Sequence, residues 1–165
     1  MRTQLAARFW LQAAVLYALA FAVFGWLIFA APGFFGTDDY YHARLATEII
    51  QQGRLAVDFP WLPKTILSPA QFTDHHLLYH LYIAPWTVWF DMAGAKLATV
   101  SIAAGVIVAA WVLLRQAGVR GAALWALALL GASTPFIFRM LMIRTQGASL
   151  LLLVAALGLM FAGRW

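Results

Sequence analysis

Residues 10–31, WLQAAVLYALAFAVFGWLIFAA, decide the fold, because this stretch carries no charged side chain at any position. About 20 helical residues are enough to cross the ~30 Å hydrocarbon core of a bilayer. Arg2 and Arg8 precede the stretch, and Pro32 ends it. Since cationic residues collect on the cytoplasmic side of a membrane span, we expect span 1 at residues 10–32 with the N-terminus in the cytoplasm.

A cleaved signal peptide is the alternative interpretation of this first stretch. Its apolar region is longer than the roughly 7–15 residues that a signal peptide contains. Phe29 would also stand at the −3 position for cleavage after Ala31, where a small residue is required. We therefore expect the stretch to be retained as a membrane span.

The composition of the whole chain is typical of a membrane protein. Of its 165 residues, 64% are hydrophobic and 10% are charged, whereas soluble domains have about 45–50% apolar and roughly 25% charged residues. The formal net charge of +5 comes mainly from arginines scattered at the ends of apolar segments, so it does not indicate nucleic-acid binding. The absence of cysteine excludes disulfides, thiol catalysis and Cys-ligated zinc.

Three further apolar segments are long enough to cross the membrane, and each ends in arginine. They predict span 2 at residues 93–115, span 3 at 121–139 and span 4 at 147–163. The segment 76–90 is also apolar and aromatic, but it is short and Pro85 interrupts it. Short apolar segments more often lie along the interface than cross it, so we expect 76–90 to hug the membrane. If it crosses, the turns at 115–120 and 139–146 exchange sides of the membrane.

The predicted fold class is therefore all-α. We expect a polytopic integral membrane helical bundle that forms a single membrane module over residues 1–165. It has about four spans, or five if the segment 76–90 crosses. One long non-cytoplasmic loop, at 33–92, separates the first span from the others.

The loop at 33–92 is the one long polar interval of the chain. A surface helix at 38–52 is predicted within it, since Thr37 or Asp38 would cap its start and Gly53 would end it. Three prolines predict irregular structure after the helix, at 54–72: Pro60, Pro63 and Pro69. The loop holds every acidic residue and every histidine of the chain: Asp38, Asp39, Glu48, Asp58, Asp74, Asp91, His42, His75, His76 and His80.

Asp38 and Asp39 are the first candidate site. Two carboxylates at a helix N-terminus are held ionised by the free N–H groups and the dipole there, and a simple helix cap is the plainer interpretation. A functional role is favoured by His42, one turn from Asp38 on the same face, and by Arg44. The pair also lies beside the bilayer, where a lipid-linked substrate would present its head group.

Asp74, His75, His76 and His80 form the second candidate. His76 and His80 are one helical turn apart and could share a metal ion or a phosphate group. Alternatively, the cluster orients an acceptor or an anion, or its side chains are only solvated at the level of the lipid head groups. The metal interpretation lacks a third ligand and is disfavoured.

Arg139 and Arg144 are the third candidate. An arginine at the edge of the lipid is costly, and it either snorkels to water or meets an anion. If the segment 76–90 does not cross, both arginines face the compartment that holds Asp38. They could then grip a lipid phosphate, a group that guanidinium binds well.

Residues 38–44, DDYYHAR, resemble the first-loop motif Asp-x-Tyr-Tyr-His-x-Arg of the GT-C glycosyltransferases, and especially of the oligosaccharyltransferase catalytic subunits. These polytopic membrane enzymes use a sugar linked to polyprenyl phosphate and carry a catalytic acidic residue in the first non-cytoplasmic loop. Residues 135–146 are similar to the Pro…Arg…Arg-x-Gln turn of the wider superfamily. The resemblance covers essentially the whole chain, which corresponds to the N-terminal part of those longer enzymes.

The resemblance implies that Asp38 takes the place of the loop-one carboxylate, a general base on the acceptor or, where a divalent cation is used, a metal ligand. His42 and Arg44 fill the other fixed positions of the motif. Gly36 stands where the oligosaccharyltransferases usually have an acidic residue, and no acidic residue follows Asp91. A metal-independent relative therefore fits better, and a divalent cation as cofactor is disfavoured.

The implied function is the N-terminal membrane module of a glycosyltransferase. It would move a sugar from a polyprenyl-phosphate-linked donor to an acceptor on the non-cytoplasmic face, with Asp38 as the base. The substrate-binding residues would be Asp39, His42, Arg44, Asp74, His75, His76, His80, Arg139 and Arg144. The expected location is the bacterial inner membrane, with the lipid bilayer, the donor and other membrane subunits as partners, and no nucleic acid.

Two other functions compete with this one. The first is a truncated, non-enzymatic relative that acts as a structural or assembly subunit of a membrane complex. The second is a small ion or proton pathway that uses the Asp and His residues. The pathway is the weakest of the three, because such pathways need ionisable groups inside the spans, and the predicted spans have them only at their ends.

Overall fold

The structure, a computed structural model, describes residues 2–58 and 72–162, and every regular element within them is an α-helix. These are α1 Arg2–Phe29, α2 Thr37–Gln52, α3 Leu77–Gln116, α4 Ala122–Ala132, α5 Thr134–Leu141 and α6 Thr145–Ala162. Three segments are long and apolar enough to cross a membrane: Thr3–Phe29, Leu77–Gln116 and Thr145–Ala162. The bent pair of α4 and α5 makes a fourth if it counts as one span. The prediction of an all-α membrane helical bundle is confirmed.

Helix α1 packs antiparallel to the second half of α3. Their shared core is apolar and includes Phe24, which is fully buried. Near the N-terminus of α1, the Phe9 ring stacks on that of Trp111, with centroids 5.0 Å apart. Just beyond the other end of α1, the Lys96 ammonium donates a hydrogen bond to the Ala31 carbonyl at 2.7 Å. This bond satisfies an acceptor that the end of a helix would otherwise leave unpaired.

Helix α3 turns back on itself at Asp91, whose backbone is not helical (φ 50°, ψ −131°). The Tyr82 hydroxyl donates a hydrogen bond to the Ala98 carbonyl at 3.2 Å, although the two residues are 16 positions apart. In a straight helix, at ~1.5 Å per residue, they would be separated by about 24 Å. Residues 77–90 therefore form a short arm that packs against the first turns of residues 92–116.

Gly94 allows the two parts of α3 to come this close. A Cβ atom at this position would lie 1.8 Å from the carbonyl oxygen of Trp86, so no other residue fits without moving the backbone. The sequence predicts two segments here, at 76–90 and 93–115, and the structure places the break between them. The path of the short arm relative to the bilayer stays a prediction.

The sequence predicts one helix for span 3, at 121–139, but the structure has α4 and α5 meeting at 86°. Ser133 between them is extended, and its hydroxyl accepts a hydrogen bond from the Phe136 N–H, so it caps α5. Pro135 follows in the first turn of α5, where its missing N–H costs nothing. After this bend the chain reaches Arg144, which lies beside the start of α2.

Helix α2, Thr37–Gln52, corresponds to the predicted surface helix at 38–52. Its N-cap is Gly36, before the predicted cap, because the side chain of Asp39 accepts a hydrogen bond from the Gly36 N–H at 3.0 Å. Gly53 ends the helix in the left-handed conformation (φ 64°), as predicted. The buried face of α2 packs on α3.

Two predicted segments lie partly outside the described residues. One is the irregular stretch at 54–72, whose three prolines at positions 60, 63 and 69 are not in the described ranges. The other is span 4, predicted at 147–163. Helix α6 begins before it, at Thr145, and the predicted end at position 163 falls outside the described part of the chain.

Candidate functional site

Two groups of polar side chains meet on helix α2. The acidic–arginine cluster consists of Asp38, Asp39 and Arg144, and the histidine chain consists of Asp74, His80 and His42. Asp38 and His42 lie four positions apart on α2, so they share one face of the helix. The first group joins α2 to the turn before α6, and the second joins α2 to the short arm of α3.

The acidic–arginine cluster is open to water. Arg144 Nη2 lies 2.8 Å from Asp38 Oδ2, and Arg144 Nε lies 3.8 Å from Asp39 Oδ1. The side chain of Asp38 is 60% exposed and that of Arg144 is 23% exposed. An ion pair in contact with water contributes about 0–1 kcal/mol to stability. The Asp38–Arg144 pair can therefore open or change partners at small cost.

Asp39 differs from its neighbour because it is fully buried. Burial raises the pKa of Asp39, while hydrogen bonds from backbone N–H groups and the Arg144 guanidinium oppose the shift. Its Oδ2 atom holds the N–H of Gly36 at the start of α2. Asp39 thus fixes the helix end, and Asp38 is the carboxylate of the pair that faces water.

The histidine chain is a row of two short hydrogen bonds. Asp74 Oδ2 lies 2.7 Å from His80 Nδ1, and His80 Nε2 lies 2.7 Å from His42 Nδ1. The Oδ1 atom of Asp74 accepts the His76 backbone N–H at 2.9 Å. The side chains of Asp74 and His80 are 4% and 0% exposed, and His42 is 6% exposed. Buried polar groups of this kind are stable only when each satisfies the next.

The electrostatics of the histidine chain differ at its two ends. Burial, followed by the neighbouring His80 and His76, lowers the pKa of His42 to about 3, and Asp38 acts in the opposite direction. Burial alone would raise the pKa of Asp74, but hydrogen bonds from His80 and from the His76 N–H hold it below its usual range. At neutral pH the chain therefore has an ionised carboxylate at one end and a neutral imidazole at the other.

The remaining predicted arginines are placed differently from Arg144. Arg44 Nη2 lies 2.6 Å from Glu48 Oε1, one turn later on α2, and lines a small pocket that Asp91 also lines. Arg139 is exposed on α5 and forms no ion pair with the residues of 2–58 and 72–162. Only Arg144 of the predicted phosphate-binding pair thus contacts the acidic motif.

A cavity of about 610 Å³ lies between the short arm of α3 and the start of α6. Its lining combines apolar side chains such as Leu78 and Leu152 with Asp74, His75 and His76. His75 is exposed, and its ring centroid lies 4.0 Å from that of His76. The cavity has the shape and chemistry to hold an apolar chain close to polar groups.

The geometry of the histidines does not favour the metal interpretation. Both ring nitrogens of His80 are already engaged, one with Asp74 and one with His42. The ring centroids of His76 and His80 are 6.2 Å apart. In the part of the chain that the structure describes, no group of three His, Asp or Glu residues is arranged to hold a metal ion.

The pairing of His42 with His80 is not foreseen from the sequence. The two residues are 38 positions apart, and helical spacing instead groups His80 with His76. A usable signal is that a histidine within an apolar helix needs a partner for each of its ring nitrogens. The acidic residues and histidines of the loop are the groups that can provide those partners.

Comparisons with known proteins yield no relative. No protein-family model matches the chain, and no curated protein or solved structure matches it at a significant level. The functional interpretation therefore depends on the residues and the geometry of the two groups on α2.

Proposed function

We propose that this protein is a membrane glycosyltransferase of the GT-C type, which transfers a sugar from a polyprenyl-phosphate-linked donor to an acceptor hydroxyl on the non-cytoplasmic face. The observation that carries the proposal is the 2.8 Å ion pair between Asp38 and Arg144. It places a carboxylate that can take a proton next to a guanidinium that can bind a phosphate. Both side chains are accessible to water and hence to a substrate.

In the proposed reaction, Asp38 takes the proton of the acceptor hydroxyl. The acceptor oxygen forms a bond to the anomeric carbon while the bond from that carbon to the phosphate oxygen breaks, with inversion. The electron pair of the broken bond leaves with the lipid phosphate. Arg144 stabilises the negative charge that develops on this phosphate.

Donor binding is proposed to change the partner of Arg144. In the structure, the guanidinium of Arg144 is paired with Asp38. A lipid phosphate offers it a bidentate partner with more acceptor oxygens. When Arg144 turns to the phosphate, Asp38 is released and can accept a proton. Because the ion pair is open to water, this exchange is inexpensive.

The cavity between the short arm of α3 and α6 supports a lipid-linked donor. It begins beside Asp74 and His76 and continues along apolar side chains of both helices. Thr145, the residue after Arg144, also lines it. A polyprenyl chain in this cavity would bring its phosphate close to Arg144.

The test is sugar transfer from polyprenyl-phosphate-linked donor by the protein in nanodiscs. Asp38→Asn should lower the rate by about 10²–10⁴-fold, the usual contribution of a general base. Asp58→Asn is the matched control and should leave the rate unchanged, since its exposed carboxylate pairs with the nearby Arg54 and not with the acidic–arginine cluster. A rate for Asp38→Asn equal to that of the wild type would exclude Asp38 as the base.

The proposal also places the N-terminus in the cytoplasm and α2 on the opposite side of a bacterial inner membrane. Because the chain lacks cysteine, single introduced cysteines report on each side separately. Thr37→Cys should react with a membrane-impermeant maleimide in intact cells. Ala117→Cys, in the turn after α3, should react only after the membrane has been opened. The reverse pattern would contradict this orientation.

A structural or assembly subunit of a membrane complex is the second candidate function. Helix α6 favours it, because Gly158 is the only buried residue of this helix and apolar side chains such as Leu152 and Leu159 are exposed. Lipid or another subunit would cover this face. A stoichiometric complex that survives detergent and transfers no sugar would support this function over the enzyme.

A further inference from the structure

The histidine chain is buried more deeply than a substrate-binding group needs to be. His80 is completely buried and the side chain of Asp74 is 4% exposed, which leaves almost no surface for an acceptor or a donor. Both are nevertheless among the substrate-binding residues expected from the sequence. Hydrogen bonds connect these two side chains to His42, which lies on α2 one turn after Asp38.

Hydrogen-bond donors and acceptors fix the ring tautomers along the histidine chain. Asp74 Oδ2 accepts, so neutral His80 must carry its proton on Nδ1. The Nε2 atom of His80 is then an acceptor, and His42 must donate to it from Nδ1. His42 is left with an unprotonated Nε2 atom, which makes no hydrogen bond to any of the described residues.

We propose that Asp74 and His80 are positioning residues that fix His42 with an unprotonated Nε2 atom, and that this atom receives the proton which Asp38 takes from the acceptor. This inference rests on the proposed function. Side chains at positions i and i+4 of a helix have Cβ atoms about 5–6 Å apart. One water molecule or one change of rotamer can therefore connect the Asp38 carboxyl group to His42.

The groups around His42 leave Asp38 as the source of the proton. Charged or titratable groups face His42 from its own helix, from the turn before α6 and from the short arm of α3: Asp38, Tyr41, Arg144, His76, Tyr79 and His80. Burial raises the pKa of Tyr41 to about 12, so this phenol keeps its proton. Asp38 is the carboxylate of this set, and it gains a proton during the proposed reaction.

The protons balance along the chain. His42 Nε2 gains one proton from Asp38, while the Nδ1 proton of His42 passes to His80 Nε2. Asp38 is then ionised again, and His80 carries the positive charge. The Asp74 carboxylate, 2.7 Å from His80 Nδ1, stabilises this cation. After the product has left, the proton returns to water by the reverse steps.

Nitrogen-15 NMR of the protein in nanodiscs, with labelled histidine, measures the tautomers directly. In the wild type we expect His42 and His80 both to carry the proton on Nδ1. In Asp74→Asn, the amide oxygen is needed by the His76 backbone N–H, so the amide NH₂ faces His80 Nδ1. Both rings should then change to the Nε2–H tautomer. Asp58→Asn, which removes an exposed carboxylate, should leave both unchanged.

The wild-type spectrum alone can overturn the inference. His42 with its proton on Nε2 would do so without any variant and without any measurement of activity. The inference would also be overturned if His42 and His80 kept their tautomers in folded Asp74→Asn, because residue 74 would then not determine which nitrogen of His42 carries the proton.

Transfer kinetics separate this inference from the proposed function. Asp74→Asn should lower kcat at least about tenfold and leave KM unchanged, because Asp74 acts through His42. An unchanged kcat would remove the histidine chain from the reaction and leave Asp38 as the base. If the wild type transfers no sugar at all, the proposed function fails, and the catalytic role of His42 fails with it.

Discussion

The acidic–arginine cluster and the histidine chain lie one helical turn apart on α2, yet they are built in opposite ways. Asp38 and Arg144 are in contact with water, which screens their attraction and offers each of them other partners. His80 is buried, and each of its ring nitrogens is hydrogen-bonded to a neighbour, one to Asp74 and the other to His42. The difference shows that an exposed pair is suited to exchanging ligands, whereas a buried row is suited to holding one orientation.

The largest effect on stability should come from disrupting the histidine chain. His80→Leu leaves the Asp74 carboxylate buried without its main partner, so we expect the free energy of unfolding to fall by about 3–5 kcal/mol. The measurement is denaturant or thermal unfolding in detergent. His75→Leu is the matched control, since His75 is exposed, and it should change stability by at most about 0.5 kcal/mol. Equal losses in both variants would show that the row is not a stabilising unit.

The next effect is the dependence of stability on pH. The folded-state pKa of His42, about 3, lies below its ordinary value of 6.5. Between these two pH values the unfolded chain therefore binds a proton at His42 and the folded protein does not. Stability should therefore fall as the pH drops from about 6.5 towards 3, by a few kcal/mol in all. Because the pKa of Asp74 is lowered in the folded state, protonation of Asp74 causes a further loss of stability at acidic pH. The raised pKa of Asp39 has the opposite sign and partly offsets the losses from His42 and Asp74.

Unfolding curves recorded between pH 7 and pH 4 test this dependence. His42→Gln should remove the part of the slope just below pH 6.5 and keep the loss nearer pH 4, which belongs to Asp74. A variant whose curve runs parallel to that of the wild type would show that His42 is not the group responsible.

The smallest effect on stability should come from the exposed cluster. Arg144→Gln should change the free energy of unfolding by less than about 1 kcal/mol, because its partner Asp38 is largely in water. Sugar transfer should nevertheless fall by about 10²-fold, since the leaving phosphate loses its cation. Arg139→Gln, the matched control, should alter neither quantity appreciably. If both arginine variants lose activity equally, the distinction between these two residues is wrong.

The sequence could predict that the acidic residues and histidines of the candidate site collect in one loop, but not how these side chains pair. The predicted spans carry no acidic residues or histidines, so these side chains had to collect in the loop at 33–92. Their pairing depends on the turn at Asp91 and on the bend at Ser133. The sequence predicts a break between the segments 76–90 and 93–115, but not the reversal of chain direction at Asp91, because a non-glycine residue seldom adopts φ 50°. Hydropathy is equally insensitive to the bend, which arises from backbone geometry at Ser133.

Helical spacing in the sequence does indicate that Asp38 and Asp39 have different environments. Asp39, His42, Ala46 and Ile49 follow one another at three- and four-residue intervals, and all four are buried. Asp38 lies about 100° away from Asp39 around the helix, which directs it to water. Treating Asp38 and Asp39 as one sequence motif hides this difference, because residues that are adjacent in the sequence point to different sides of a helix.

The turn at Asp91 also sets the order in which the protein can assemble. The short arm at 77–90 packs on α2, which precedes it, and also folds back on residues that follow it in the chain, such as Gly94 and Ala98, so its docking surface is complete only after those residues have been synthesised. Translation proceeds from the N-terminus at about 5–20 residues per second. The partners of His80, His42 and Asp74, are therefore already present when it is made, but the arm that carries His80 is held from both sides only after the rest of α3 emerges, and Arg144 arrives later still. A ribosome that stalls within α5 would leave the buried row complete and Asp38 without its cation.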